Sequence, residues 1–151
     1  MPLLRWIQEY SVNQPELDSH HQKMFDILNR AYENVMNSLE VDYALPIIEE
    51  LSTLTRHHIS AEEKYMKERG YQEIDTHIAT HREFTHQIET LQMNYRGNNL
   101  EATKELIVVL GHWLLHHVIN EDWKYSELPG GNDELAKINL CRKQSYNANE
   151  P

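Results

Sequence analysis

The stretch LDSHHQKMFDILNRAYENVMNSL, residues 17–39, decides the fold of this chain. Its apolar side chains recur every three or four positions, which is the period of one face of an α-helix. They are Leu17, Met24, Phe25, Leu28, Tyr32, Val35 and Leu39. We expect Asp18 or Ser19 to cap this helix. A helix with a single apolar stripe needs partners that cover the stripe.

Three further helices follow from the positions of proline and glycine. The second tolerates Pro46 only in its first turn, and Gly70 ends it. The third and fourth are expected at about residues 72–95 and 100–125, with a break at Gly97 between them. Strand-like alternation is missing from the pattern. The sequence therefore predicts an all-α fold, an antiparallel up-down-up-down four-helix bundle.

Each of these three helices also has an apolar stripe. The inward positions predicted for the second helix are Ile47, Leu51, Leu54, Ile59 or His58, Tyr65 and Met66. Those of the third are Ile74, Ile78, Phe84, Ile88 and Leu91, and those of the fourth are Leu106, Leu110, Trp113 and Leu114. We expect residues 1–128 to form the bundle domain, with an irregular arm over residues 1–17. Residues 129–151 are expected to form a polar tail with at most one short helix.

Composition limits the class of protein. The chain has 151 residues and a net charge of −10, so we expect one domain that binds neither nucleic acid nor anionic lipid. No apolar run approaches the ~20 residues that span a bilayer, and the charged start does not resemble a secretion signal. Cys141, the single cysteine, excludes an internal disulfide. We expect a cytoplasmic monomer without membrane insertion.

Histidine is unusually frequent, and the helical stripes divide the ten histidines into two groups. A side chain that faces the core continues the apolar row three or four positions away. Together with two carboxylates, the inward group is His21, His58, Glu62, His77, His81, His117 and Asp122. The outward group is His20, His57, His86, His112 and His116, in which His112 and His116 compete as a second pair with helical spacing.

The inward group is better explained by bound metal ions than by a purely structural hydrophobic core. Burying five imidazoles and two carboxylates without partners would cost several kcal/mol each, whereas cations would satisfy them. Seven donors exceed the capacity of one ion and suit two closely spaced ions. Imidazole and carboxylate ligands leave iron, zinc, copper and nickel open. The carboxylate-rich ferritin-like centre is disfavoured, because the single Glu-x-x-His motif, Glu83 with His86, faces outward.

Four motifs, in order, resemble the bacterial members of the haemerythrin family over residues 6–126. The first runs from Trp6 through Tyr10-Ser11-Val12 and Pro15-Glu16-Leu17-Asp18-Ser19 to His20-His21. The others are His58-x-x-x-Glu62-Glu63-x-x-Met66, His77-x-x-x-His81-x-x-Phe84 and Trp113-x-x-x-His117-x-x-x-x-Asp122-x-x-Tyr125. All seven ligand positions of the family pattern are filled. The chain departs from the pattern at Ile59, at Asn13-Gln14 and at His20, where the family commonly has Phe, Gly-Ile and Gln.

The resemblance implies a non-haem site with two iron ions, Fe2+ or Fe3+, bridged by an oxo or hydroxo group and by Glu62 and Asp122. One iron would be six-coordinate with His77, His81 and His117. The other would be held by His21 and His58, with an open position that binds O2. A dry pocket would surround that position, lined by Leu114, Trp113, Ile59, Met24 and Phe25.

The resemblance implies reversible O2 binding for storage, delivery to an oxygen-using enzyme, or sensing, and no enzymatic activity. Three alternatives stay open at this point. They are a di-iron oxidase or peroxidase, an iron-handling protein without O2 chemistry, and a structural bundle whose histidines happen to face inward.

Overall fold

The computed structural model describes residues 2–37, 44–96 and 100–126. A 3-10 turn at Gln8–Tyr10 precedes four long helices, which are α1 (Pro15–Met36), α2 (Ala44–Glu68), α3 (Ile74–Arg96) and α4 (Leu100–His116). Helix α4 continues directly as a π-helix, His117–Asp122, and then as the short helix α5, Trp123–Tyr125. The predictions for Leu39, the turn after α1, Cys141 and the tail at 129–151 fall outside the described residues.

The four helices form a closed bundle. Consecutive helices pack against each other, and α1 completes the ring by packing against α4. The described residues contain no strand. This confirms the predicted all-α four-helix bundle. Among the described helices, none combines the length and the apolarity that crossing a membrane requires.

The helix boundaries agree with the prolines and glycines but correct one prediction. Gly70 adopts φ +64° directly after α2, as a helix-ending glycine does, and Pro46 lies in the first turn of α2. Helix α1, however, begins at Pro15, so Asp18 and Ser19 are not its cap. The carboxylate of Asp18 accepts instead from the Ser11 hydroxyl at 2.5 Å and the Val12 N–H at 2.8 Å. Proline at the first helical position starts the helix earlier than the sequence pattern indicated.

The N-terminal arm is part of the core, which the sequence did not predict. Leu4 and Val12 are buried, and the Leu4 backbone N–H and C=O both bond to the side chain of Asn29. Gly111 lets the arm approach α4, since a Cβ there would lie 2.8 Å from the Leu3 side chain. Many predicted stripe positions lie in the core, and Leu28, Leu51, Leu91 and Leu110 are among its most buried members. The prediction was wrong by one position in places: Ile47 and Leu106 are half-buried, whereas the adjacent Ile48 and Ile107 are fully buried.

Candidate metal centre

The bundle brings all seven predicted inward groups together. Two sets of donor atoms each lie within 4.8 Å of one another. The first set is Glu62, His77, His81, His117 and Asp122, and the second is His21, His58, Glu62 and Asp122. All seven side chains are buried. The two carboxylates belong to both sets, so the arrangement is that of two adjacent sites with shared ligands.

Asp122 lies between the two sets. One of its oxygens, Oδ1, is 2.8 Å from His117 Nε2 and 3.0 Å from His77 Nε2. The other, Oδ2, is 3.1 Å from His21 Nε2. A single carboxylate therefore reaches histidines of both sets, as a bridging ligand must.

Glu62 occupies the equivalent place on α2. Its Oε2 is 2.6 Å from His81 Nε2 and 3.6 Å from His58 Nε2. Its Oε1 accepts a hydrogen bond from the buried hydroxyl of Tyr125. Tyr125 thus fixes the rotation of the carboxylate. In the sequence, only its position in the fourth motif pointed to this residue.

The atoms that face the centre of the site fit a bound metal. Six buried atoms there make no hydrogen bond within the described part of the chain: Glu62 Oε2, His77 Nε2, His81 Nε2, His117 Nε2 and both carboxylate oxygens of Asp122. Buried polar atoms without partners are costly and uncommon in folded proteins. Metal cations would satisfy all of them at once. With imidazole and carboxylate donors and no thiolate, the set suits iron, zinc, copper or nickel.

Two of the imidazoles also have a partner at Nδ1, the ring nitrogen that faces away from the centre of the site. His81 Nδ1 lies 3.0 Å from Glu63 Oε1. His117 Nδ1 lies 3.2 Å from the hydroxyl of Thr80, which itself donates to the His77 carbonyl. Thr80 therefore accepts from His117. A partner for the Nδ1 proton leaves the Nε2 lone pair free for a metal ion.

The π-helix explains how His117 and Asp122 meet. Asp122 comes five positions after His117, and in an α-helix that spacing would rotate Asp122 by about 140° away from His117. The π-helix His117–Asp122 has a wider turn, which places the two side chains on one face. In the sequence, the only indication was that Asp122 lies a little over one helical turn after the inward His117.

One prediction about the outward histidines is wrong. His20 is buried, at 6% exposure, and its Nδ1 is 3.1 Å from Nδ1 of His58. It points into the seam between α1 and α2, where its ring lies against those of His57 and His58. Burial, and next the charge of nearby His57, lower the pKa of His20. The remaining outward histidines are exposed as predicted: His57, His86, His112 and His116.

Aromatic and apolar side chains enclose the site. The Trp113 ring stacks on His117 with centroids 4.7 Å apart, and on its other face against Phe84 at 4.4 Å. Trp6, from the N-terminal arm, lies 6.4 Å from His21, a contact that the sequence analysis missed. Of the predicted pocket residues, three are buried and two half-buried: Leu114, Met24 and Phe25, then Ile59 and Trp113.

The charges of the seven buried side chains depend strongly on one another. Burial lowers the pKa of His58 to about 3, so this imidazole is neutral. Burial opposes protonation of His77 too, but its contacts with Asp122 and Glu62 raise its pKa to about 10. Burial and mutual repulsion would raise the pKa values of Glu62 and Asp122, yet the surrounding histidines hold both below the ordinary range. Before a metal binds, these groups are therefore ionised at neutral pH, with protons on part of the histidines.

We predict that metal binding releases protons. A coordinating imidazole must be neutral, and His77 with its pKa of about 10 carries a proton at pH 7. The apparent affinity for Fe(II) should accordingly rise with pH, about tenfold per unit for each proton displaced. Anaerobic Fe(II) titration in weakly buffered solution measures the release, with His86→Ala as a surface control. An affinity independent of pH between 6 and 8 would contradict the assigned ionisation.

Comparison with known proteins connects this geometry to a family. The family model "Hemerythrin HHE cation binding domain" matches residues 13–128, which contain all seven donor residues. A "Bacteriohemerythrin" of Clostridium acetobutylicum is 27% identical over 124 residues, covering 80% of this chain and 96% of the relative. A "Myohemerythrin" of Theromyzon tessulatum is 26% identical over 121 residues, covering 80% and 89%. The solved "Crystal structure of hemerythrin:wild-type" has a TM-score of 0.76 at 21% identity, covering 83% of this chain and 96% of that one.

Proposed function

This chain belongs to the haemerythrin family, and from that premise we propose that it binds O2 reversibly at a pair of iron ions. One observation carries the proposal, namely that two overlapping sets of buried donors share Glu62 and Asp122. A cage of this kind suits two ions close enough to act on one small ligand. We extend the proposal to the domain boundaries, with residues 1–128 as the binding domain.

We infer that the open position for O2 belongs to the ion with fewer protein ligands. His77, His81 and His117, the two carboxylates and a bridging oxo or hydroxo group would give one ion six ligands. His21 and His58 with the same three bridges would give the other ion five. The vacancy for O2 would then lie beside His21 and His58. When bound, the iron pair supplies the electrons that hold O2 and takes them back on release.

The chain's own residues make such binding reversible by keeping water out. Leu114, Phe25 and Met24 are buried in the bundle core, and Leu114 lies one turn before His117. Trp113 covers His117, and Trp6 lies near His21. Tyr125 holds Glu62 by a hydrogen bond to Oε1, which keeps the carboxylate oriented when the ligand state changes.

The proposed role is that of a carrier, not an enzyme. Storage, delivery to an oxygen-consuming enzyme, and sensing all use the same reversible step. Delivery would require a partner that consumes O2.

We expect two iron ions per chain and a colour change that follows the gas phase. The protein, loaded with Fe(II) under argon, should develop an oxygenated spectrum in air and lose it when argon returns. Metal analysis and an anaerobic O2 titration measure both properties. One ion per chain, or mostly zinc from iron-sufficient medium, would contradict the di-iron site. Two irons with no reversible spectrum would instead indicate iron handling.

A further inference from the structure

A second group of metal-binding residue types lies outside the seven donors. Glu16 and His20 are four residues apart on α1, and His57 faces them from α2, with donor atoms of the three within 4.8 Å of one another. His20 is buried, whereas Glu16 and His57 are exposed. The group therefore reaches from the surface to His58, whose Nδ1 lies 3.1 Å from Nδ1 of His20.

Proton positions decide what this group can do. His58 turns its Nε2 into the cage, 3.0 Å from His21 Nε2, so as a metal ligand it must carry its proton on Nδ1. Only one proton can lie between the two Nδ1 atoms. His58 is therefore the donor and His20 the acceptor. A neutral His20 that accepts at Nδ1 carries its own proton on Nε2.

This proton arrangement argues against a metal ion at the surface group while the cage is filled. An ion bound to Nε2 of His20 would move the His20 proton to Nδ1, where it would face the Nδ1–H of His58. A carboxylate oxygen of Glu16 instead lies within 4.8 Å of a ring nitrogen of His20, near enough for a small side-chain movement to let it accept the Nε2 proton. The residues then form a chain that runs from His58 through His20 to Glu16.

We propose that His20 is a positioning residue for the iron with the open coordination site. By accepting from Nδ1 of His58, it selects the tautomer of His58 that has Nε2 free and fixes the plane of the ring. Glu16 holds His20 in the accepting tautomer. This proposal rests on the proposed metal site but not on O2 binding.

Two substitutions at one position separate this role from simple packing. His20→Gln keeps an acceptor, since its amide oxygen can take the His58 proton, whereas His20→Leu fills similar space without one. Removing a hydrogen-bond partner of a metal ligand typically lowers metal affinity 10–100-fold. We therefore expect a chelator to remove the ion held by His21 and His58 about 10–100 times faster from His20→Leu than from the wild type. The other ion should leave at the wild-type rate. His20→Gln should stay close to wild type for both, as should the surface control His86→Leu.

Nitrogen-15 NMR of the zinc-loaded chain supplies a readout that involves neither iron nor O2. We expect His58 to show its proton on Nδ1 and His20 to show its proton on Nε2. Failure of O2 binding would leave this measurement intact. Equal retention of both ions in His20→Leu would overturn the proposal, as would equal losses in the Leu and Gln variants. A third zinc ion that is lost in Glu16→Gln and His57→Ala would overturn it too, by making the surface group a metal site.

Discussion

Replacing His58 or His117 by alanine should cost the protein bound iron, whereas replacing the adjacent His57 or His116 should leave two ions per chain. His58 and His117 are buried donors of the two sets, and their neighbours are exposed. Loss of either imidazole removes one of the buried nitrogen donors of its set, which the exposed neighbouring histidine cannot replace. Iron content per chain after desalting measures the effect.

The paired design controls for a general loss of histidine. Each control removes the same side chain one position away on the same or a continuous helix, so far-UV circular dichroism should be alike in all four variants. If His57→Ala or His116→Ala proves to be the variant that loses iron, the helix register and the whole ligand assignment are wrong.

Truncating Leu114 should shorten the lifetime of the oxygenated spectrum while O2 still binds. Leu114 is 2% exposed, and its removal opens a cavity one turn from His117, beside polar groups that can hold water. A barrier to oxidation lowered by only about 1.4 kcal/mol would shorten the lifetime tenfold. Leu114→Asp should shorten it further, because it adds a polar group in the same place. Stopped-flow or conventional spectroscopy at one pH records the decay.

Leu110→Ala is the matched control for this experiment. Leu110 is equally buried and lies on the same helix, one turn farther from His117. Both substitutions should cost about 2–5 kcal/mol of folding free energy, but only the one at Leu114 should speed the decay. Equal decay in both would mean that loss of stability, not access of water, controls oxidation. A wild-type spectrum that lasts seconds, with repeated turnover of a reductant, would favour an oxidase over a carrier.

The fold could be predicted because long helices with one apolar stripe have few ways to bury it. Each stripe specified which side of its helix faces the others, and the same rule selected the seven donors without any knowledge of their partners. His58 and His57 differ by one position, yet only His58 continues the row of Leu51 and Leu54. The structure places His58 in the buried cluster and His57 at the surface.

What the sequence could not supply depends on contacts between distant segments. The sequence pattern of the arm is irregular because Leu4 and Val12 have no periodic neighbours. Their burial depends on apolar clusters formed with other segments, and on hydrogen bonds to Asn29 and Asp18. His20 was assigned to solvent because an apolar stripe sorts side chains only into inward and outward ones. A helix in a bundle also has sides that contact the adjacent helices, and His20 lies on such a side. The π-helix was missed because a spacing of five fits no regular α-helical face.

The tryptophans also make the protein an optical reporter of its own metal content. Trp113 stacks on a histidine of one set, and Trp6 lies beside a histidine of the other. Bound iron quenches the emission of indoles at such range. With the third tryptophan, Trp123, replaced by Phe in both variants, fluorescence of a Trp6→Phe variant would follow filling mainly at His117, and that of a Trp113→Phe variant mainly at His21. The order in which the two halves of the cage load can thus be timed without a dye or label.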